Sequence, residues 1–130
     1  MVVVDTSIWI DYLRGANYKK MERLEEILDS DRIIIGDLII TELMQGFRNK
    51  KDLSKIELLI DSLEYKDMLG KNIALKSAKN YRELRKKGFT VRKTIDVMIG
   101  TFCIENKYEI LHNDRDFEPM TKILGLRSID

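Results

Sequence analysis

Four acidic residues, Asp5, Glu42, Asp96 and Asp114, occupy positions from which carboxylates can do chemistry together. Asp5 directly follows the β-branched run Val2-Val3-Val4, and Asp114 follows Glu109-Ile110-Leu111-His112 almost as closely. Glu42 sits beside an apolar helical stripe, and Asp96 lies in the first turn of the most apolar helical stretch of the chain. Carboxylates gathered without a cation repel one another and hold raised pKa values. A hard divalent ion removes that repulsion. Oxygen donors with no Cys or His among them favour Mg²⁺ or Mn²⁺ over Zn²⁺.

Singly, each acid has a plainer reading. Asp5 and Asp114 can cap the short helices that follow them, and Asp96 can complement a helix dipole. Glu42 can be an ordinary solvated helix residue. The joint reading depends on the elements that carry them. Val2–Val4, Ile33–Ile35 and Tyr108–Leu111 read as buried strands, with a weaker strand at Tyr65–Leu69 and an edge strand within the tail Ile123–Ile129. Helical spacing marks a segment from Ile8 to Leu13 closed by Gly15, then Lys19–Leu28, Leu38–Arg48, Leu53–Leu63, Ile73–Lys87 and Ile95–Asn106. Continuously apolar strands alternating with helices predict an α/β three-layer sandwich, a mostly parallel central sheet flanked by helices. Ligands of such sheets bind outside the carboxyl ends of the strands, which is where Asp5 and Asp114 fall. At ~100° per residue, Leu38, Ile39, Leu43 and Phe47 form one stripe and Glu42 falls at its edge.

The remaining composition narrows the class. A chain of 130 residues with 44% hydrophobic content suits one domain, residues 1–130, with its own core. The single cysteine, Cys103, excludes an internal disulfide and a cysteine-based zinc cluster, and it lies in an apolar run as a small buried hydrophobe. Reducing, cytoplasmic surroundings follow. The N-terminus lacks the basic region of a signal peptide, and no stretch reaches the ~18 apolar residues of a membrane span. A net charge of +1 excludes a strong global field but not a local basic surface. His112, the one histidine, reads as a structural residue beside a turn, with contact to substrate as the alternative. Asp11 reads as a solvated helix residue and Asp116 as a spare acid near Asp114.

The segment Val3-Val4-Asp5-Thr6-Ser7-Ile8-Trp9-Ile10 resembles the opening of PIN-domain nucleases. Ile40-Thr41-Glu42-Leu43-Met44-Gln45-Gly46, Thr94-Ile95-Asp96-Val97-Met98-Ile99-Gly100 and Ile110-Leu111-His112-Asn113-Asp114-Arg115-Asp116-Phe117 resemble that family's later acidic motifs, in order and over nearly the whole chain. Any one of them is weak. Together the resemblance is to the VapC-like toxins of toxin–antitoxin pairs. It implies a PIN-like fold and an Mg²⁺-dependent endoribonuclease, with Mn²⁺ able to substitute, acting on RNA that is often structured. It also implies a VapB-like antitoxin and a homodimer. Asp5, Glu42, Asp96 and Asp114 would then be the metal-binding acids, with Asp116 an alternative last ligand. Thr6 would orient Asp5 or contact phosphate. His112 departs from the pattern, because the family often carries Thr or Ser there.

The resemblance and the acids imply hydrolysis of phosphodiesters to 5′-phosphate and 3′-hydroxyl ends. A surface for phosphate is offered by Lys79, Arg82, Arg85, Lys86, Lys87, Arg92 and Lys93, with Tyr81 and Phe89 interleaved. The plain alternative is a solvated helix end whose cations complement the dipole. Arg92 and Lys93, next to Asp96, are the expected phosphate contacts. Trp9, Tyr12 and Leu13 read as core, or else as a groove for an antitoxin helix. Two other functions fit less well. One is a PIN-like nuclease for RNA maturation or flapped DNA without an antitoxin. The other is a Mg²⁺-dependent signalling module, which has an Asp pair near the N-terminus and an Asp at a later strand end, whereas this chain has only Asp5 at its first strand and no Asp at the end of Ile33–Ile35.

Overall fold

The computed structural model describes residues 1–130. Five strands, β1 (Val2–Val4), β2 (Ile33–Gly36), β3 (Glu64–Lys66), β4 (Glu109–Leu111) and β5 (Arg127–Ser128), form one sheet in the order β3-β2-β1-β4-β5. Every pairing is parallel, with Val2 opposite Ile33 and Glu109, and Val4 opposite Leu111. Val2, Val3 and Val4 are fully buried, as a strand covered on both faces must be. The edge strand β3 is exposed throughout, and its Glu64-Tyr65-Lys66 sequence discourages pairing with another chain.

Between β1 and β2 lie α1 (Thr6–Leu13) and α2 (Lys19–Leu28), and between β2 and β3 lie α3 (Asp37–Gln45) and α4 (Lys50–Ser62). The chain then crosses back over the sheet through α5 (Lys71–Lys86) and α6 (Thr94–Asn106). After β4 come a 3₁₀ turn (Arg115–Phe117) and α7 (Glu118–Ile123). Right-handed crossovers place α1–α4 on one face and α5–α7 on the other. Consistent with this, α5 packs on α6 and α7, while α1 and α4 pack on α3. Glycine permits close approaches between elements: a Cβ on Gly100 of α6 would lie 2.1 Å from Met120 Cε of α7. No helix is long and apolar enough to cross a membrane.

The predicted sandwich is present, and its sheet is wholly parallel. Several boundaries differ from the sequence reading, among them those of β3, α3 and the tail. The β3 strand starts one residue earlier and stops at Lys66, because Asp37 Oδ1 accepts from Met68 N (2.8 Å) and draws the chain away from the sheet. The α3 helix ends at Gln45 rather than Arg48. In the tail, Pro119 occupies the first turn of α7, where its missing N–H costs nothing, and the helix consumes Ile123. Gly125, at φ +81°, turns the chain so that only Arg127 and Ser128 remain as strand.

The connections leaving β1 and β4 run to opposite sides of the sheet. Their carboxyl ends therefore flank a crevice, the position at which parallel α/β sheets bind ligands. Asp5 leaves one strand there and His112-Asn113-Asp114 leaves the other.

Candidate active site

The crevice is an open cleft of about 540 Å³ whose walls include Asp5, Glu42, Asp96 and Asp114, with Thr6 and Lys93. The four predicted acids are thus brought together. Three hold their plainer roles as well, Asp96 by lying in the first turn of α6. Asp5 is the N-cap of α1, accepting from Ser7 N (3.1 Å), and Asp114 caps the 3₁₀ turn, accepting from Asp116 N (2.9 Å). Helix-cap geometry fixes these side chains at the sheet edge, so capping and clustering are compatible.

Asp5 is 4% exposed and Asp96 5% exposed. The Ser7 hydroxyl donates to Asp5 Oδ2 (2.7 Å) and accepts from Asn113 N (3.1 Å), tying the first acid to the loop of the fourth. Thr6 does not orient Asp5 through its hydroxyl. Its Oγ1 donates instead to Glu42 Oε1 (2.8 Å), because α3 lies across α1 and brings Glu42 to that side chain. The sequence reading does not single out Ser7, although an N-cap carboxylate conventionally meets the N–H of the second helical residue, which here is Ser7.

Asp96 Oδ2 is buried with no hydrogen-bond partner. Burial, followed by the charges of Asp5 and Asp114, pushes its carboxyl up to about 7. Burial also raises Asp5 against the opposing hydrogen bonds of Ser7. Glu42 is raised in the same way, with Thr6 opposing and Asp5 adding repulsion. These groups stand in each other's field without a protein cation sufficient to neutralise them.

At the rim, cations are present. Lys93 Nζ lies 3.9 Å from Asp114 Oδ2. The Arg92 guanidinium gives Nε (3.1 Å) and Nη2 (2.8 Å) to Asp116 Oδ1. Carboxylate oxygens of Asp96, Asp114 and Asp116 come within 4.8 Å of one another, yet Asp116 is not part of the cleft wall and faces a small neighbouring cavity. Lys79, Arg82, Arg85, Lys86 and Lys87 are distributed along and just beyond α5, all of them exposed. Of the residues expected as core or groove, Trp9 is fully buried, Leu13 is half-buried and Tyr12 is exposed. Asp11 is not simply solvated, since it accepts the Tyr18 hydroxyl.

A model of the PIN domain matches residues 2–123. The chain belongs to the PIN domain family. Among PIN relatives, ribonuclease VapC11 of Mycobacterium tuberculosis is 28% identical over 133 residues, covering 98% of this chain and 97% of its own length. A VapC ribonuclease of Mycobacterium bovis is similar to the same extent. Two solved structures share the PIN architecture. VapBC2 of Rickettsia felis, bound to a promoter DNA fragment, superposes with a TM-score of 0.80 at 19% identity, covering 99% of this chain and 98% of that one. DNA-bound VapBC of Salmonella typhimurium gives 0.80 at 22% identity, over 99% and 96% of the two chains.

Proposed function

We propose that this PIN domain is a metal-dependent endoribonuclease, the toxin of a toxin–antitoxin pair, and that residues 1–130 act as one unit. The observation that carries the reading is the unpartnered, buried Asp96 Oδ2 among Asp5, Glu42 and Asp114. An all-oxygen donor set whose acids resist ionisation fits a hard divalent cation, Mg²⁺ with Mn²⁺ as substitute. Asp5 and Asp96 would hold it, with Glu42 and Asp114 completing the site, while Asp116, within 4.8 Å of Asp96 and Asp114, is engaged by Arg92. A cation held there lowers the pKa of water and offsets charge developing on the reacting phosphate.

The chain's own residues do the rest. Ser7 and Thr6 fix the rotamers of Asp5 and Glu42, so the acids meet a ligand without reordering. With Oε1 engaged by Thr6, Glu42 keeps Oε2 as the free acceptor that orients a water. Lys93 at the rim attracts the phosphate, and the cations of α5 extend that surface. Arg92 contributes less direct phosphate contact than its position in the sequence suggests, because Asp116 occupies it. Attack by water, rather than by a ribose hydroxyl, leaves 5′-phosphate and 3′-hydroxyl ends.

The VapC ribonuclease relatives support RNA as substrate, and structured RNA remains the expected target. Relatives solved as VapBC complexes support a VapB-like antitoxin partner, and the cytoplasm is the expected setting of such a pair. Self-association as a homodimer is supported by an apolar cleft between α5 and the start of α6, lined by Leu69, Ala74, Ala78 and Met98.

The test incubates the purified chain with tRNA and rRNA in Mg²⁺, in Mn²⁺ and in EDTA, beside Asp5→Asn. Discrete cleavage that needs the cation and vanishes in the variant is the expected result. Cleavage that persists in EDTA, or in Asp5→Asn, would overturn the reading.

A further inference from the structure

His112 stands between the strand end and Asp114, and it is 8% exposed. Its ring packs on Phe117 with centroids 4.9 Å apart, and its carbonyl accepts from Lys20 Nζ (2.6 Å). Both ring nitrogens are engaged. Nδ1 lies 3.2 Å from Asp114 N, and Nε2 lies 3.2 Å from Ser128 Oγ. Ser128 Oγ in turn lies 3.2 Å from Thr121 Oγ1, which donates to Phe117 O at 3.4 Å.

The direction of every bond in this chain is fixed from its ends. A backbone N–H only donates, so His112 Nδ1 must offer its lone pair to Asp114. The ring is therefore neutral and carries its proton on Nε2, which donates to Ser128. Phe117 O only accepts, so the Thr121 hydroxyl points to it and the Ser128 hydroxyl points to Thr121. Four hydrogen bonds link the loop bearing Asp114 to α7 and β5 without a conflict of donors or acceptors.

We propose that His112 is a positioning residue for Asp114, its Nδ1 holding the Asp114 backbone amide and the hydroxyls of Ser128 and Thr121 selecting the tautomer that can do so. The inference rests on Asp114 belonging to the cation site proposed above. It gives the two-residue strand β5 a function: the end of the chain sets the orientation of one acid across the sheet. The acceptor role does not require an imidazole. Asn places its side-chain oxygen at the same distance along the chain as Nδ1, so His112→Asn preserves the acceptor, whereas His112→Phe fills the space without one.

The experiment uses the full chain in EDTA and reads the His112 ring ¹⁵N shifts and the Asp114 amide exchange rate by NMR, followed by Mn²⁺ titration. The account expects the neutral Nε2–H form at pH 7. In His112→Phe, Asp114 exchange should accelerate and Mn²⁺ should bind about tenfold more weakly, as loss of a partner behind a ligand typically costs roughly 10- to 100-fold. His112→Asn should restore both to within about threefold of wild type on the same scale. A ring protonated on Nδ1, or Asn and Phe variants that behave alike while both remain folded, overturns the proposal. Wild type that binds no Mn²⁺ while showing the expected tautomer and exchange pattern would count against the cation site, not against the hold on Asp114.

Discussion

The two sides of the acidic cleft solve the same electrostatic problem differently. At the floor, Asp5 and Asp96 are almost completely buried, no lysine or arginine pairs with them, and one Asp96 oxygen has no partner. At the rim, Asp114 and Asp116 are half-buried and meet Lys93 and Arg92. A buried carboxylate without compensation is costly, while a partly solvated pair is nearly neutral in stability. The floor therefore keeps an unmet demand for positive charge, and the rim has satisfied most of its own. The proposed site answers that demand with a cation from outside.

The largest test of that contrast replaces a floor acid. Asp96→Asn should lower RNA cleavage about a thousandfold, equivalent to ~4 kcal/mol of transition-state stabilisation. The same change should stabilise the cation-free protein at pH 7.5 by about 1–2 kcal/mol, because it removes a buried charge, and each tenfold weakening of an acid on folding corresponds to ~1.4 kcal/mol. Loss of function with gain of stability is readable from a cleavage assay and a melting curve in EDTA. Destabilisation by Asp96→Asn would break the comparison.

The second effect is a pH dependence. Asp96 rises from an ordinary 3.8 to about 7 on folding, so the native state binds the extra proton. Its contribution is fully present below pH 4 and is lost as pH rises through 7. In EDTA, melting temperature should fall between about pH 4 and pH 7 because of this group, and Asp96→Asn should flatten the slope. A rim substitution should do less. Arg92→Ala, which frees Asp116, should reduce cleavage by about tenfold at most, the lower end expected for a residue acting through a ligand's neighbour. Smallest of all, neutralising Arg82 or Lys86 should weaken RNA binding about two- to threefold each and reduce its salt dependence.

The positions of the acids are far more legible in the sequence than the partners that hold them. Asp5 and Asp114 follow apolar strands, and a parallel sheet carries such residues to one edge whatever the details of packing. Asp96 is marked by being an acid in the most apolar helix. The hydrogen bonds around these acids obey different rules. Ser7 rather than Thr6 holds Asp5, which cap geometry could have indicated. The attachment of Thr6 to Glu42 depends on how α1 crosses α3, which no local pattern encodes. Arg92 reads as a free phosphate contact because its partner, Asp116, lies 24 residues away in sequence. The tail Ile123–Ile129 reads as supplying an edge strand, and only Arg127 and Ser128 form it, because α7 takes Ile123 and Gly125 turns the chain. The charge pattern thus reveals which acids meet, while the pairing that tunes them comes only from tertiary packing.

The most direct test of the central claim is calorimetric titration of Mn²⁺ into the cation-free protein near pH 7, repeated with Asp96→Asn and Asp116→Asn. The account predicts saturable binding that releases protons, because Asp96 is partly protonated before the cation arrives. It predicts loss of that binding in Asp96→Asn and its retention in Asp116→Asn. Wild type that binds no Mn²⁺, or binding that survives Asp96→Asn unchanged, would contradict it.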